Sequence, residues 1–280
     1  MIKLTPVSIV SSIDKLLEVL NAKRNRNVQL KNKMRCSTKV MDTYTNAVGE
    51  KQKFNKDGTF RWFPGNTIVC DLSNDQNVLN EIHRIQERYR ELPFSSKFVY
   101  MPIESIHMTV MELLCYFHQE KSVWSSFLDI DAPLEETDAF FAEKLETVDM
   151  PRDFAMKVES VGFGHCIWLR PADQATAERL RDFRDKVAQV TGVKFPDHDS
   201  YEFHITYAYQ LMHLTPEEET HLSEVLDQIS SKVKEHLDTV NTGQVLYTVF
   251  KDMSRFVPYT PDARALWKSE FEQVNEEMSK

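Results

Sequence analysis

Apolar positions along the chain recur with two different periods. Alternating or continuous apolar runs predict strands near residues 66–72, 98–101, 105–114, 154–162, 165–170, 202–210 and 244–252. Three- and four-residue spacing predicts helices near 9–21, 76–92, 137–148, 174–191, 216–236 and 263–278. In the second helix the stripe is Val78, Leu79, Ile82, Ile85 and Tyr89; in the fourth it is Ala177, Leu180, Phe183, Val187 and Val190. Thr215-Pro216-Glu217-Glu218 reads as a helix start, with Thr215 as N-cap, Pro216 at the first helical position and Glu218 closing a capping box. Residues 116–136 lack a clear period and are read as a lid or connector in mid-chain.

The elements repeat. A shift of 97 residues lays Ile68-Val69-Cys70-Asp71-Leu72 over His165-Cys166-Ile167-Trp168-Leu169, and His107 over His204. After each first strand comes a polar break containing Asp-Gln (Asp75-Gln76 and Asp173-Gln174), then a helix, then a strand carrying a histidine. The Asp-Gln pair needs one extra residue of offset, so the repeat is one of layout rather than of letters.

The two histidine strands are Ser105-Ile106-His107-Met108-Thr109-Val110 and Glu202-Phe203-His204-Ile205-Thr206-Tyr207. In a strand, side chains i and i+2 share a face, so each segment sets an imidazole beside a hydroxyl and turns Ile106, Met108, Phe203 and Ile205 the other way. The spacing alone is common, because His-x-Ser/Thr occurs at His107, His198, His204, His213 and His221. His213 leads into a helix cap, His221 falls inside that helix and His198 lies in a turn-like stretch. Only His107 and His204 sit in apolar alternating runs. By the same alternation Ser105, Met111, Glu202, Ala208 and Gln210 fall on the histidine face, whereas Tyr207 and Tyr209 fall on the core face.

This layout resembles the 2H phosphoesterase superfamily, whose members carry two His-x-Thr/Ser motifs on the central strands of two pseudo-symmetric lobes. Phe63-Pro64-Gly65-Asn66-Thr67, running into the first strand, is similar to the opening of a poorly characterised, domain-of-unknown-function branch of it. The resemblance covers about residues 54–255. It implies an α+β fold of two pseudo-symmetric lobes, antiparallel-type sheet with outer helices around a central groove, as in RNA ligase-like proteins. It also implies catalytic His107 and His204 with phosphate-binding Thr109 and Thr206. Residues 1–53 are then an N-terminal helix and basic accessory segment, and residues 256–280 a C-terminal helix packed on the domain.

The residue types fit that chemistry. Two imidazoles across a groove can serve as base and acid in one displacement at phosphorus, and histidine holds both protonation states within reach near neutral pH. Two hydroxyls can meet the charge that grows on the non-bridging oxygens. Which histidine is base is open at this stage. No cofactor is expected. A metal held by His107, His204 and a carboxylate such as Glu202 is the competing arrangement, although no clustered ligand spacing supports it. Candidate aromatic contacts for a base are Trp62, Phe63, Tyr100 and Tyr201, with Trp62 and Tyr100 taken as substrate-binding; Arg61, Lys97 and Arg170 are candidate cations.

Composition narrows the classes further. The chain has 280 residues, 41% hydrophobic and 28% charged, enough for a substantial core. Its 7 glycines form neither a Walker loop nor a dinucleotide fingerprint. Cys36, Cys70, Cys115 and Cys166 occur singly, without ligand or disulfide spacing. A net charge of -9 argues against a protein that tracks long duplex nucleic acid. Yet residues 21–41 hold seven basic side chains and no acid, leaving -16 on the remainder. That segment is read as an accessory packed on the acidic body, with a nucleic-acid-touching arm or a targeting extension as alternatives. No run reaches the roughly 18 apolar residues of a membrane span. The expectation is a cytoplasmic monomer hydrolysing a cyclic or terminal phosphodiester of a small nucleotide or short RNA, metal-independently and without membrane contact. A protein that binds nucleotide or RNA ends in the same groove without turnover is the alternative.

Overall fold

The computed structural model describes residues 43–267. The helix expected over 9–21, the basic segment 21–41, Cys36 and most of the helix expected over 263–278 lie outside the described residues. The chain divides between Asp42 and Thr43, so residues 43–53 belong with the following body rather than with the N-terminal segment.

Among the described residues, eight strands form one sheet in which every pairing is antiparallel. In chain order they are β1 (Gly65–Asp71), β3 (His107–Cys115), β4 (Ala155–Gly162), β5 (Cys166–Pro171), β6 (Phe203–Thr206), β8 (Thr239–Asn241), β9 (Val245–Phe250) and β10 (Val257–Pro258). Their spatial order is β10-β9-β1-β3-β6-β5-β4-β8. β2 (Phe98–Tyr100) and β7 (Ala208–Gln210) pair separately. The helices are α1 (Gln76–Arg90), α2 (Leu134–Leu145), α3 (Gln174–Thr191) and α4 (Pro216–His236). This is the α+β fold the resemblance implied, with the halves meeting at β3 and β6.

The local causes are legible in the chain. Both Asp-Gln breaks put aspartate at a helix N-cap: Asp75 accepts from the N–H groups of Asn77 and Val78, and Asp173 from that of Thr176. Such caps satisfy N–H groups that the first helical turn leaves unpaired. α1 buries Val78, Leu79, Ile82, Ile85 and Tyr89; α3 buries Leu180, Phe183 and Val187. The capping box at Thr215 and Glu218 forms as expected.

Two irregularities redirect side chains. Opposite β1, the register slips between Ile68, which faces Met111, and Val69, which faces Thr109. This bulge inverts the alternation, so Met111 is buried and Glu112 takes the outward place that simple parity assigned to Met111. The strand expected over 202–210 also breaks at Tyr207. The Tyr207 carbonyl accepts from the Met101 N–H and the Gln86 amide, and its N–H donates to the His165 carbonyl. These bonds carry the chain out of the large sheet and into β7.

Gly65 answers to close packing. A methyl group there would sit 2.5 Å from both the Leu114 carbonyl oxygen and the Phe250 ring. The next residue, Asn66, is buried and accepts the Leu114 N–H at 2.8 Å. The Phe-Pro-Gly-Asn-Thr opening thus lets β1 run tight against β3 and β9.

Candidate active site

The central strands set the site by register. Met108 pairs with Ile205 between antiparallel β3 and β6. One step in either direction places His107 opposite Thr206 and Thr109 opposite His204, all four on the face away from buried Met108 and Ile205. The flanking strands extend both rows: Asp71 pairs with His107 and Val69 with Thr109 on one side, Cys166 with Thr206 and Trp168 with His204 on the other. The 97-residue shift carries Asp71 onto Trp168 and Val69 onto Cys166, so the halves match in register as well as in order. Side-chain contacts agree, since Cys166 Sγ lies 3.4 Å from Thr206 Oγ1 and the Trp168 and His204 ring centroids are 5.0 Å apart.

The four side chains line one groove of about 190 Å³. Lys53, Glu112, Cys115, His118 and Tyr209 add polar atoms to it, while Phe63, Val123, Phe250, Met253 and Phe256 supply apolar wall. Residues 116–136 therefore contribute wall through His118 and Val123. Of the other sequence candidates, Phe63 lines the groove and Tyr201 lies beside His204, ring centroids 6.4 Å apart. Trp62 and Tyr100 stand elsewhere: Trp62 packs with Val249, Ala263 and Trp267, and Tyr100 lies in β2 under the Arg90 guanidinium. Arg61 is bonded to Asn55, and Lys97 to Glu218, while exposed Arg170 is not among the groove residues. Tyr209 and Lys53 escaped the sequence reading. The break at Tyr207 turns Tyr209 from the core toward the groove, and Lys53 belongs to no motif.

Both imidazoles are oriented in the same way. Nδ1 of His107 lies 2.6 Å from the Ser105 carbonyl and Nδ1 of His204 lies 3.0 Å from that of Glu202. A carbonyl only accepts, so Nδ1 carries the proton in each ring and Nε2 is left to work as base or, when protonated, as acid. The main chain alone performs this orientation. Glu202 lends its carbonyl and is itself exposed. The group of at least three histidine, cysteine or carboxylate donors found close together among the described residues is Asp185, His198 and Asp199, which includes neither His107 nor His204.

His107 is further biased. Burial, reinforced by the charges of His204 and Lys53 and partly opposed by the Ser105 carbonyl and Asp71, pushes its pKa down from 6.5 to about 4. Its ring lies against Phe256, centroids 4.1 Å apart. As pH falls, the unfolded chain takes up this proton before the folded one does. The contribution to stability is therefore complete above pH 6.5, declines between 6.5 and 4, and amounts to at most about 3 kcal/mol. Urea midpoints at pH 7 and pH 4.5 should differ more for the wild type than for His107→Gln; an equal acid loss in both would contradict the assignment.

The fold and this paired-histidine groove resemble those of a 2H phosphoesterase-type domain. More particularly, residues 53–166 match the family described as "2H-phosphodiest: Domain of unknown function (DUF1868)". The fold is similar to the crystal structure of ATU0111, a conserved protein of unknown function from Agrobacterium tumefaciens strain C58. That likeness has a TM-score of 0.72 and 26% identity, and covers 80% of this chain and 95% of that one. No curated protein matches the chain significantly.

Proposed function

We propose that the chain is a metal-independent phosphodiesterase that hydrolyses a cyclic or terminal phosphodiester of a nucleotide or short RNA. The observation that carries this reading is the register of β3 on β6, which brings two imidazoles with free Nε2 atoms and two hydroxyls onto one face of one groove. A phosphate seated there meets Thr109 and Thr206 at its non-bridging oxygens. His107, neutral at pH 7, takes a proton from the attacking water through Nε2. His204 then gives one to the leaving ribose oxygen. The apolar wall of Phe63, Phe250 and Phe256 offers a surface for the base or sugar.

Purified protein held in excess chelator is to be assayed against 2',3'-cyclic mononucleotides, cyclic dinucleotides and short oligonucleotides. Turnover of at least one class, undiminished by chelator, is expected. Loss of all turnover in chelator, with rescue by zinc or manganese, would overturn the metal-free mechanism.

A further inference from the structure

The groove holds a cation that the histidine motifs do not account for. Lys53 precedes Phe54, a fully buried residue whose ring packs on Phe60 and Tyr209 at centroid distances of 5.4 and 5.1 Å. Backbone bridges from Phe54 to Val48 and to Phe60 hold the segment, and Thr45 ties it to the Gln210 carbonyl at 2.6 Å. The lysine is thus fixed from behind by packed hydrocarbon. Its ammonium enters the groove, donating to Tyr209 Oη at 3.3 Å and lying 4.7 Å from the centre of that ring.

Among the described residues, no carboxylate comes within ion-pairing distance of Lys53. Its charge nevertheless reaches His107, Cys115 and Cys166, and it lines the same groove as the four motif side chains. Burial pulls the ammonium toward neutrality, but its surroundings, the Tyr209 hydroxyl and the Glu112 carboxylate among them, more than offset this, and its pKa is raised from 10.5. With Tyr209 Oη as its hydrogen-bond partner and no carboxylate of the described residues in direct contact, the ammonium keeps donor capacity for an entering anion.

We infer that Lys53 is a substrate-binding residue, donating to a non-bridging phosphate oxygen beside Thr109 and Thr206, with Tyr209 orienting its ammonium. This rests on the phosphodiester reading above and adds to it a charged contact supplied by the segment before β1. Recognition then depends on an anion at the groove floor, whatever base or sugar lies against the wall.

The test uses the full chain, inorganic phosphate and three variants. Lys53→Met keeps the aliphatic stem and removes the charge; it should weaken phosphate binding by about tenfold or more in calorimetric titration. Lys53→Arg should retain most of the affinity, and Tyr209→Phe should weaken it by a smaller factor. In the wild type, the Lys53 side-chain NMR signals should shift in step with phosphate saturation, a readout that stands even if Lys53→Met fails to fold. Unchanged phosphate affinity in folded Lys53→Met, unresponsive Lys53 signals, or a wild type that binds no phosphate would overturn the inference. Full turnover with unchanged KM in Lys53→Met would sink it and leave the hydrolase reading intact. Phosphate bound at Lys53 without turnover of any diester would do the reverse.

Discussion

Alanine at His107 or at His204 is expected to slow diester hydrolysis by about a hundredfold to ten-thousandfold, the range for losing one acid–base group. Binding of the same diester should weaken little, because Thr109, Thr206 and the apolar wall are untouched. Each ring is oriented by the carbonyl two residues before it, so removing one leaves the other's Nδ1 bond in place. The double variant should be little slower than the worse single one, as is usual when two groups act as a unit in one displacement. Steady-state rates give the first quantity and equilibrium titration of the inactive variants gives the second. A protein that only holds nucleotide ends would show affinity in every variant and a rate in none. Either single alanine variant retaining more than a tenth of wild-type turnover would remove its histidine from the chemistry.

The central part of this site could be read from the chain because it depends on local alternation. In a strand, His107 and Thr109 must share a face, as must His204 and Thr206, and the 97-residue repeat said that the two strands hold equivalent places. The helices at 174–191 and 216–236 were equally plain, since Asp173 and Thr215 mark their starts chemically. What escaped was set by contacts distant in sequence. The bulge that replaces Met111 by Glu112 on the groove face arises from the pairing of β3 with β1, and nothing in the run from His107 to Cys115 announces it. Tyr209 left the core face because the peptide bonds of Tyr207 are taken by Met101, Gln86 and His165, each far away in the chain. Lys53 sits between Gln52 and Phe54 in what looks like surface sequence; only the packing of Phe54 on Tyr209 aims it inward. Trp62 and Tyr100 failed as groove residues for the same reason, since an aromatic near a strand end carries no sign of which cluster it will join.

Asp138→Ala is expected to destabilise the fold by about 3–5 kcal/mol, the cost of stripping one partner from a buried ion pair. Asp138 is 2% exposed and Arg264 12%, so water screens the pair little. The carboxylate accepts from Arg264 through both oxygens, one bond being Nη2 to Oδ1 at 3.1 Å, and Oδ1 also accepts from the Asn66 amide at 2.8 Å. Arg264 Nη2 donates in addition to the Gly65 carbonyl at 2.9 Å, while Asn66 Oδ1 accepts from Leu114. One carboxylate therefore joins α2, β1, β3 and the turn after β10, and without it a guanidinium and an amide are left buried and unmatched. Asp138→Asn, which keeps the acceptor and loses the charge, should cost less. Adding Arg264→Leu to Asp138→Ala should restore part of the loss, because the stranded charge goes with it. Chemical denaturation of the four proteins gives these differences directly, and a loss below about 1 kcal/mol for Asp138→Ala would show that the pair is dispensable. Because Asn66 and Phe250 also line the groove, the same variant should raise KM more than it lowers kcat. The network holds the wall against which substrate lies, whereas the histidines are held by their own strands.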